Sequence, residues 1–225
     1  MTFEETLTEI GRGVKTAVSA ACDVARRLWE GIRSRVKNLV GSLRRLFEPE
    51  VEETVDEGEC QRREAVVEAV RRVLGDVPLQ VLSAASDDER RGIVETLVEE
   101  ISSTLHIAPP AVAFRLTEAG VAGSYSCERH CLTISLVELR RRPMDVDDAA
   151  ELLDTVVHEL YHAFQHQATQ DPARCGVSPK QAEEWLDNFY HYTSASQDLQ
   201  EYYAQPVERT AWAFAHSIVR EFWTA

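Results

Sequence analysis

Apolar residues recur along this chain with two different periods, and the change of period divides it. From Phe3 the series Leu7, Ile10, Val14, Val18, Ala21, Ala25, Leu28, Ile32, Val36, Leu39, Leu43 and Phe47 advances in steps of three and four. That spacing puts one apolar stripe along a long helix, or along two shorter ones. Gly11, Gly13, Gly31 and Gly41 interrupt the stripe, and Arg26, Arg27, Arg33, Arg35, Lys37, Arg44 and Arg45 make the polar face basic. A segment of this kind, residues 1–47, can lie on a membrane surface, join a partner in a coiled coil, or dock on its own chain. Residues 48–60 are acidic, carry Pro49 and Gly58, and show no sustained stripe, which predicts a solvated linker.

A compact domain is predicted over 61–225. Val66, Val67, Val70 and Leu74 give a helix over 63–74, stopped by Gly75. Ile93, Leu97, Ile101 and Leu105 give a second over 87–105, with Ser86 as its N-cap. Beyond Pro109-Pro110 the period changes to two. Residues 111–116 and 131–136 read as strands, the latter with Leu132, Ile134 and Leu136 on one side, and a short strand is expected within 119–126. Helical spacing then returns over 147–167 without a Gly or Pro, and again after Pro206 through Val207, Ala211, Phe214, Ala215, Ile218 and Phe222. The expected class is α+β: mostly helical, with a small sheet and an amphipathic N-terminal extension.

Composition narrows the partners. The chain has 225 residues, 44% hydrophobic and 28% charged, with a formal net charge of -14. An acidic balance disfavours nucleic acid. Five scattered cysteines, Cys22, Cys60, Cys127, Cys131 and Cys175, do not look like a disulfide framework and suit a reducing compartment. The acidic N-terminus lacks a continuous apolar stretch, so neither a signal peptide nor a spanning helix is expected, and a cytoplasmic protein is the default.

The helix over 147–167 contains His158-Glu159-Leu160-Tyr161-His162. Two histidines four residues apart stand one above the other on the same helix face and can reach one metal ion together. Glu159, about 100° round the helix, can lean over the same ion. Paired imidazoles suit zinc, and a carboxylate beside them suits general-base hydrolysis; this is the HExxH pattern of zinc peptidases. A solvated surface helix is the competing reading. The neighbours Leu152, Leu153, Val156, Val157, Leu160, Ala163 and Phe164 argue instead for burial.

Catalytic zinc usually takes three protein ligands. Gln165 and Ala168 stand where the metzincin extension requires glycine and histidine, so that class is excluded. His166 lies about 12 Å along the axis from His158, too far to share the ion. Glu208, in the first turn of the last helix, is the favoured third ligand, ahead of Glu201, Glu184 and Asp187. Small Ala211 and Ala215 would let that helix approach the His158 helix closely. The run Thr155-Val-Val-His-Glu-Leu-Tyr-His-Ala-Phe-Gln165, followed by Gln205-Pro-Val-Glu-Arg-Thr-Ala-Trp-Ala-Phe-Ala215, resembles the gluzincin group of zinc peptidases. It is particularly similar to small bacterial and phage zincin-like domains, including ImmA-type peptidases. Glu208, Ala211, Phe214 and Ala215 match their second motif, whereas Thr210 and Trp212 stand where an acidic residue and Asn are common. The resemblance spans about 61–222 and implies a zincin fold, in which a small sheet covers two helices that hold zinc between them.

The expected function is zinc-dependent hydrolysis of peptide bonds in a protein or peptide substrate. His158, His162 and Glu208 would hold the zinc, and Glu159 would act as general base. An oxyanion donor is sought among Tyr190, His191, Tyr192, Tyr202 and Tyr203, with Tyr203 preferred for its place just before the Glu208 helix. Asp154 could orient the His158 ring, and an edge strand within 119–136 could bind extended substrate. Cys127, His130 and Cys131 lack the second ligand pair a structural zinc site needs and read as a turn. The alternative function is a catalytically silent zincin-fold module that docks through residues 3–47.

Overall fold

The computed structural model describes residues 57–118 and 120–223. The expectations for 1–47 and for most of 48–60 therefore lie outside the described residues. Helix α1, Glu57–Leu74, starts inside the stretch read as linker, so Glu57 to Cys60 belong to the folded domain. It carries acids in its first turn and arginines in its last, complementing the helix dipole. Gly75 ends it at φ +74, a left-handed conformation that glycine adopts without steric cost.

Helix α2, Pro78–Ala84, was not legible from periodicity because only Pro78, Leu79 and Leu82 are buried on it. Helix α3, Asp87–Thr104, begins at the expected Ser86, which forms a reciprocal capping box with Glu89. Arg90 is buried where these elements meet. Its guanidinium donates to the carbonyls of Leu82, Ser83, Leu139 and Arg141, which satisfies the ends of two short helices at once.

Strands β1, Ala111–Arg115, β2, Gly123–Ser126, and β3, Cys131–Ser135, form one sheet in the order β1-β3-β2. β1 runs parallel to β3, and β2 runs antiparallel to it. Leu132 and Ile134 point into the core, as their alternation requires. Leu136 leaves the strand: Ser135 accepts from the Val137 N–H and starts helix α4, Leu136–Leu139.

Helix α5, Val146–Gln170, is the axis of the domain. Asp145 and Asp148 form its capping box, and Arg141 binds Asp148 and Glu151 to hold its first turns. Leu152, Leu153, Val156, Val157, Leu160, Ala163 and Phe164 are all buried. The helix packs chiefly against α8, Pro206–Trp223, and also touches α2, α3, β2 and α6, Pro179–Tyr190. The α8 stripe of Val207, Ala211, Phe214, Ala215, Ile218 and Phe222 is buried throughout. Phe214 stacks on Tyr161 of α5 with ring centroids 4.3 Å apart. A short helix α7, Leu199–Ala204, leads into α8. The result is mostly helical with a small mixed sheet, the α+β class the periodicity predicts. No described helix is long and apolar enough to cross a membrane.

Candidate metal centre

The packing of α5 on α8 brings three expected ligands together. His158 and His162 project from one face of α5, one turn apart, and Glu208 arrives from the first turn of α8. All three are buried, and among the described residues theirs is the one group of three or more such side chains that could hold a metal ion. The two Nε2 atoms are 3.0 Å apart. Glu208 Oε2 lies 3.3 Å from His158 Nε2, and Oε1 lies 3.4 Å from His162 Nε2. Four ligands about 2.05 Å from a tetrahedral zinc are about 3.3 Å from one another, close to these separations.

Electrostatics give the same fit. Glu208 Oε2 is sealed from solvent and makes no hydrogen bond within the described residues. A carboxylate oxygen in that state costs stability unless a cation meets it. Burial opposes ionisation of Glu208, but the two histidines outweigh it and hold the carboxyl well below the usual carboxylate range. Burial likewise opposes charge on His162, but Glu208, Glu159 and the Gln165 hydrogen bond outweigh it and raise this imidazole to about 9. The site is thus built for positive charge, which a divalent ion can supply in place of protons.

Glu159 faces the same space from the α5 side. Burial and the Glu208 charge raise its pKa to about 7, while His162 and a hydrogen bond from the Tyr125 backbone N–H act the other way. Tyr125 belongs to β2, so the edge strand crosses directly over this carboxylate. Gly123 permits that approach. A Cβ there would lie 2.6 Å from Thr155 Cγ2, 3.1 Å from the Thr133 carbonyl oxygen and 3.2 Å from Glu159 Cγ. Glycine inside a strand signals such close contact, and that cue was available in the sequence.

Tyr203 packs on Tyr202 and Trp212, at ring separations of 5.2 and 6.4 Å, whereas Tyr192 donates to Glu208 Oε1 at 2.6 Å. Tyr202, one residue earlier on α7 and about 100° round it, is the α7 tyrosine that interacts with Glu208. Burial first, then the Glu208 charge, raises the pKa of both Tyr192 and Tyr202, which therefore remain donors. Glu201, Glu184 and Asp187 are exposed and away from the centre. Asp154 Oδ1 lies 3.6 Å from His216 Nε2. Trp212 packs on the His158 ring at 4.1 Å. His166 meets the Tyr125 hydroxyl, which also bonds His130, so these side chains tie the β2–β3 turn to α5. Cys127 and His130 close that turn through the His130 N–H.

Two contributors escaped the sequence reading. Gln165 accepts a hydrogen bond from His162 Nδ1 at 2.8 Å and donates to the Val207 carbonyl and to Thr210 Oγ1. Thr210, at the position noted for lacking an acid, is its partner.

No protein family, curated protein or solved structure matches the chain.

Proposed function

We propose that this chain is a zinc-dependent metallopeptidase with a zincin-like fold, acting on protein or peptide substrates. The observation that carries the reading is the spacing of His158 Nε2, His162 Nε2 and the two Glu208 carboxylate oxygens, with nearest pairs 3.0 to 3.4 Å apart and Glu159 beside them. Two imidazoles and one carboxylate favour zinc over magnesium or calcium, which prefer all-oxygen sites. Bound there, zinc supplies a Lewis acid for the scissile carbonyl and an acidified water.

The chain's own residues do the rest. Glu159 accepts the proton of the attacking water and returns it to the leaving amine, and its burial beside Glu208 makes the carboxylate a stronger base than a solvated one. Tyr192 and Tyr202 supply phenolic donors for negative charge developing on the carbonyl oxygen. The edge strand β2 orients the substrate. Ser135 N–H donates to the Ala122 carbonyl, so by antiparallel alternation the backbone groups of Gly123 and Tyr125 point away from β3. The Tyr125 backbone N–H acts on the Glu159 carboxylate, and the Gly123 groups and the Tyr125 carbonyl would form the docking edge for an extended peptide. The free thiols of Cys60, Cys127, Cys131 and Cys175 support a reducing, cytoplasmic setting.

Metal analysis and cleavage of a peptide library by wild type and Glu159→Gln test the reading. Zinc in both proteins, with turnover in wild type only, is the expected result. Zinc without turnover in wild type, including a form lacking residues 1–47, would favour a silent binding module.

A further inference from the structure

Gln165 is a fully buried polar residue on α5, three positions after His162 and facing α8. Its side-chain amide has only one allowed orientation. The Val207 carbonyl oxygen, 3.0 Å away, can accept but never donate, so the atom facing it must be the amide nitrogen. The amide oxygen then faces His162 Nδ1 at 2.8 Å and can only accept. His162 Nδ1 must therefore carry a proton. When the imidazole is neutral, its lone pair is forced onto Nε2, the atom aimed at His158 and Glu208.

The same amide reaches the other ligand. Val207 immediately precedes Glu208, and Thr210, which accepts from the Gln165 nitrogen at 2.7 Å, donates in turn to the Pro206 carbonyl at 2.8 Å. One side chain thus holds the ring of the second ligand and the first turn of the helix that bears the third.

We propose that Gln165 is a positioning residue for the metal centre: through one amide it sets the His162 tautomer and anchors the α8 turn that presents Glu208. This inference rests on the metal-binding reading above. It also gives the neutral Thr210 a place, since its hydroxyl accepts from the amide and donates to the Pro206 carbonyl.

The test uses the full chain and zinc alone. Wild type, Gln165→Met and Thr210→Val are titrated with zinc against a competing chelator, and histidine 15N–1H spectra are recorded on the zinc-loaded proteins. Removing an outer-shell partner of a ligating histidine typically weakens metal affinity about 10- to 100-fold. Gln165→Met is expected to show that loss with unchanged helical content. Thr210→Val, which leaves the His162 and Val207 bonds in place, is expected to show a smaller loss. In wild type the spectra should show His162 protonated on Nδ1, slow to exchange, with Nε2 on the metal; in Gln165→Met that proton should exchange quickly. Zinc affinity unchanged in a folded Gln165→Met protein would overturn the assignment. So would wild-type His162 bound through Nδ1, a result that needs no variant to fold. Wild type that takes up no zinc would instead overturn the metal reading itself, and this assignment with it.

Discussion

Replacing Gly123 with alanine is a perturbation whose sign separates two physical effects. The glycine does not have a positive φ, so alanine is conformationally acceptable there. On backbone entropy alone, Gly→Ala at such a position stabilises a protein by about 0.4–1 kcal/mol. Packing at this position demands the opposite. The new methyl would lie 2.6 Å from Thr155 Cγ2, against 3.4 Å or more for ordinary contact, so β2 or α5 must yield by about 0.8 Å. Thr133's carbonyl at 3.1 Å and Glu159 Cγ at 3.2 Å block the nearby escapes. Overpacking of this kind costs about 1–3 kcal/mol, and net destabilisation is expected. A displacement approaching 1 Å beside the general base can also lower turnover by about 100-fold. Zinc affinity should change little, because β2 carries no ligand. Urea denaturation of Gly123→Ala, Thr155→Ala and the double variant measures the contact: removing the Thr155 methyl should recover at least about 1 kcal/mol in the cycle. A Gly123→Ala protein as stable as wild type, or more so, would refute the close-packing argument.

Other outcomes follow from the same structure. His162, raised from 6.5 to about 9, must be neutral to bind zinc. Zinc uptake at pH 8 should therefore release close to one proton per ion, measured by calorimetry in buffers of different ionisation enthalpy, and affinity should rise with pH up to about 9. In the metal-free protein the sign reverses. Stability from His162 is fully present below pH 6.5 and lost as pH rises through about 9, and the raised Glu159 removes more between 4.5 and about 7. The urea midpoint of chelator-treated protein should accordingly fall from pH 5 to pH 9. Glu208→Gln should abolish tight zinc binding, and in the metal-free protein should remove the separate loss of stability that Glu208 causes as pH drops below 4.5. Phe214→Ala should cost about 3–5 kcal/mol in a urea titration, because the ring is fully buried on Tyr161.

What could be read in advance was whatever depends on neighbours close in sequence. The α5 stripe, the Ser86 cap, the alternation of Leu132 and Ile134 and the buried face of α8 each follow from one residue's spacing to the next. His158 and His162 were legible for the same reason, since a helix alone sets their relation. Glu208 was inferred across forty-odd residues because Pro206 and the small Ala211 and Ala215 marked a helix able to pack closely. The tyrosines show where that logic stops. Which ring reaches Glu208 depends on how α7 and the turn after α6 are oriented, and Tyr192, in that turn, donates to it. Gln165 was passed over because its role exists only once α8 supplies Val207 and Thr210. Arg90 likewise acquires its role only where the two short helices it caps come together.

The central claim is that one divalent ion is held between α5 and α8, and anomalous X-ray diffraction at the zinc edge addresses it most directly. The account predicts a single peak in contact with His158 Nε2, His162 Nε2 and a Glu208 carboxylate oxygen, with Glu159 outside the coordination sphere. Full occupancy elsewhere, or no peak from crystals grown with excess zinc, would contradict it.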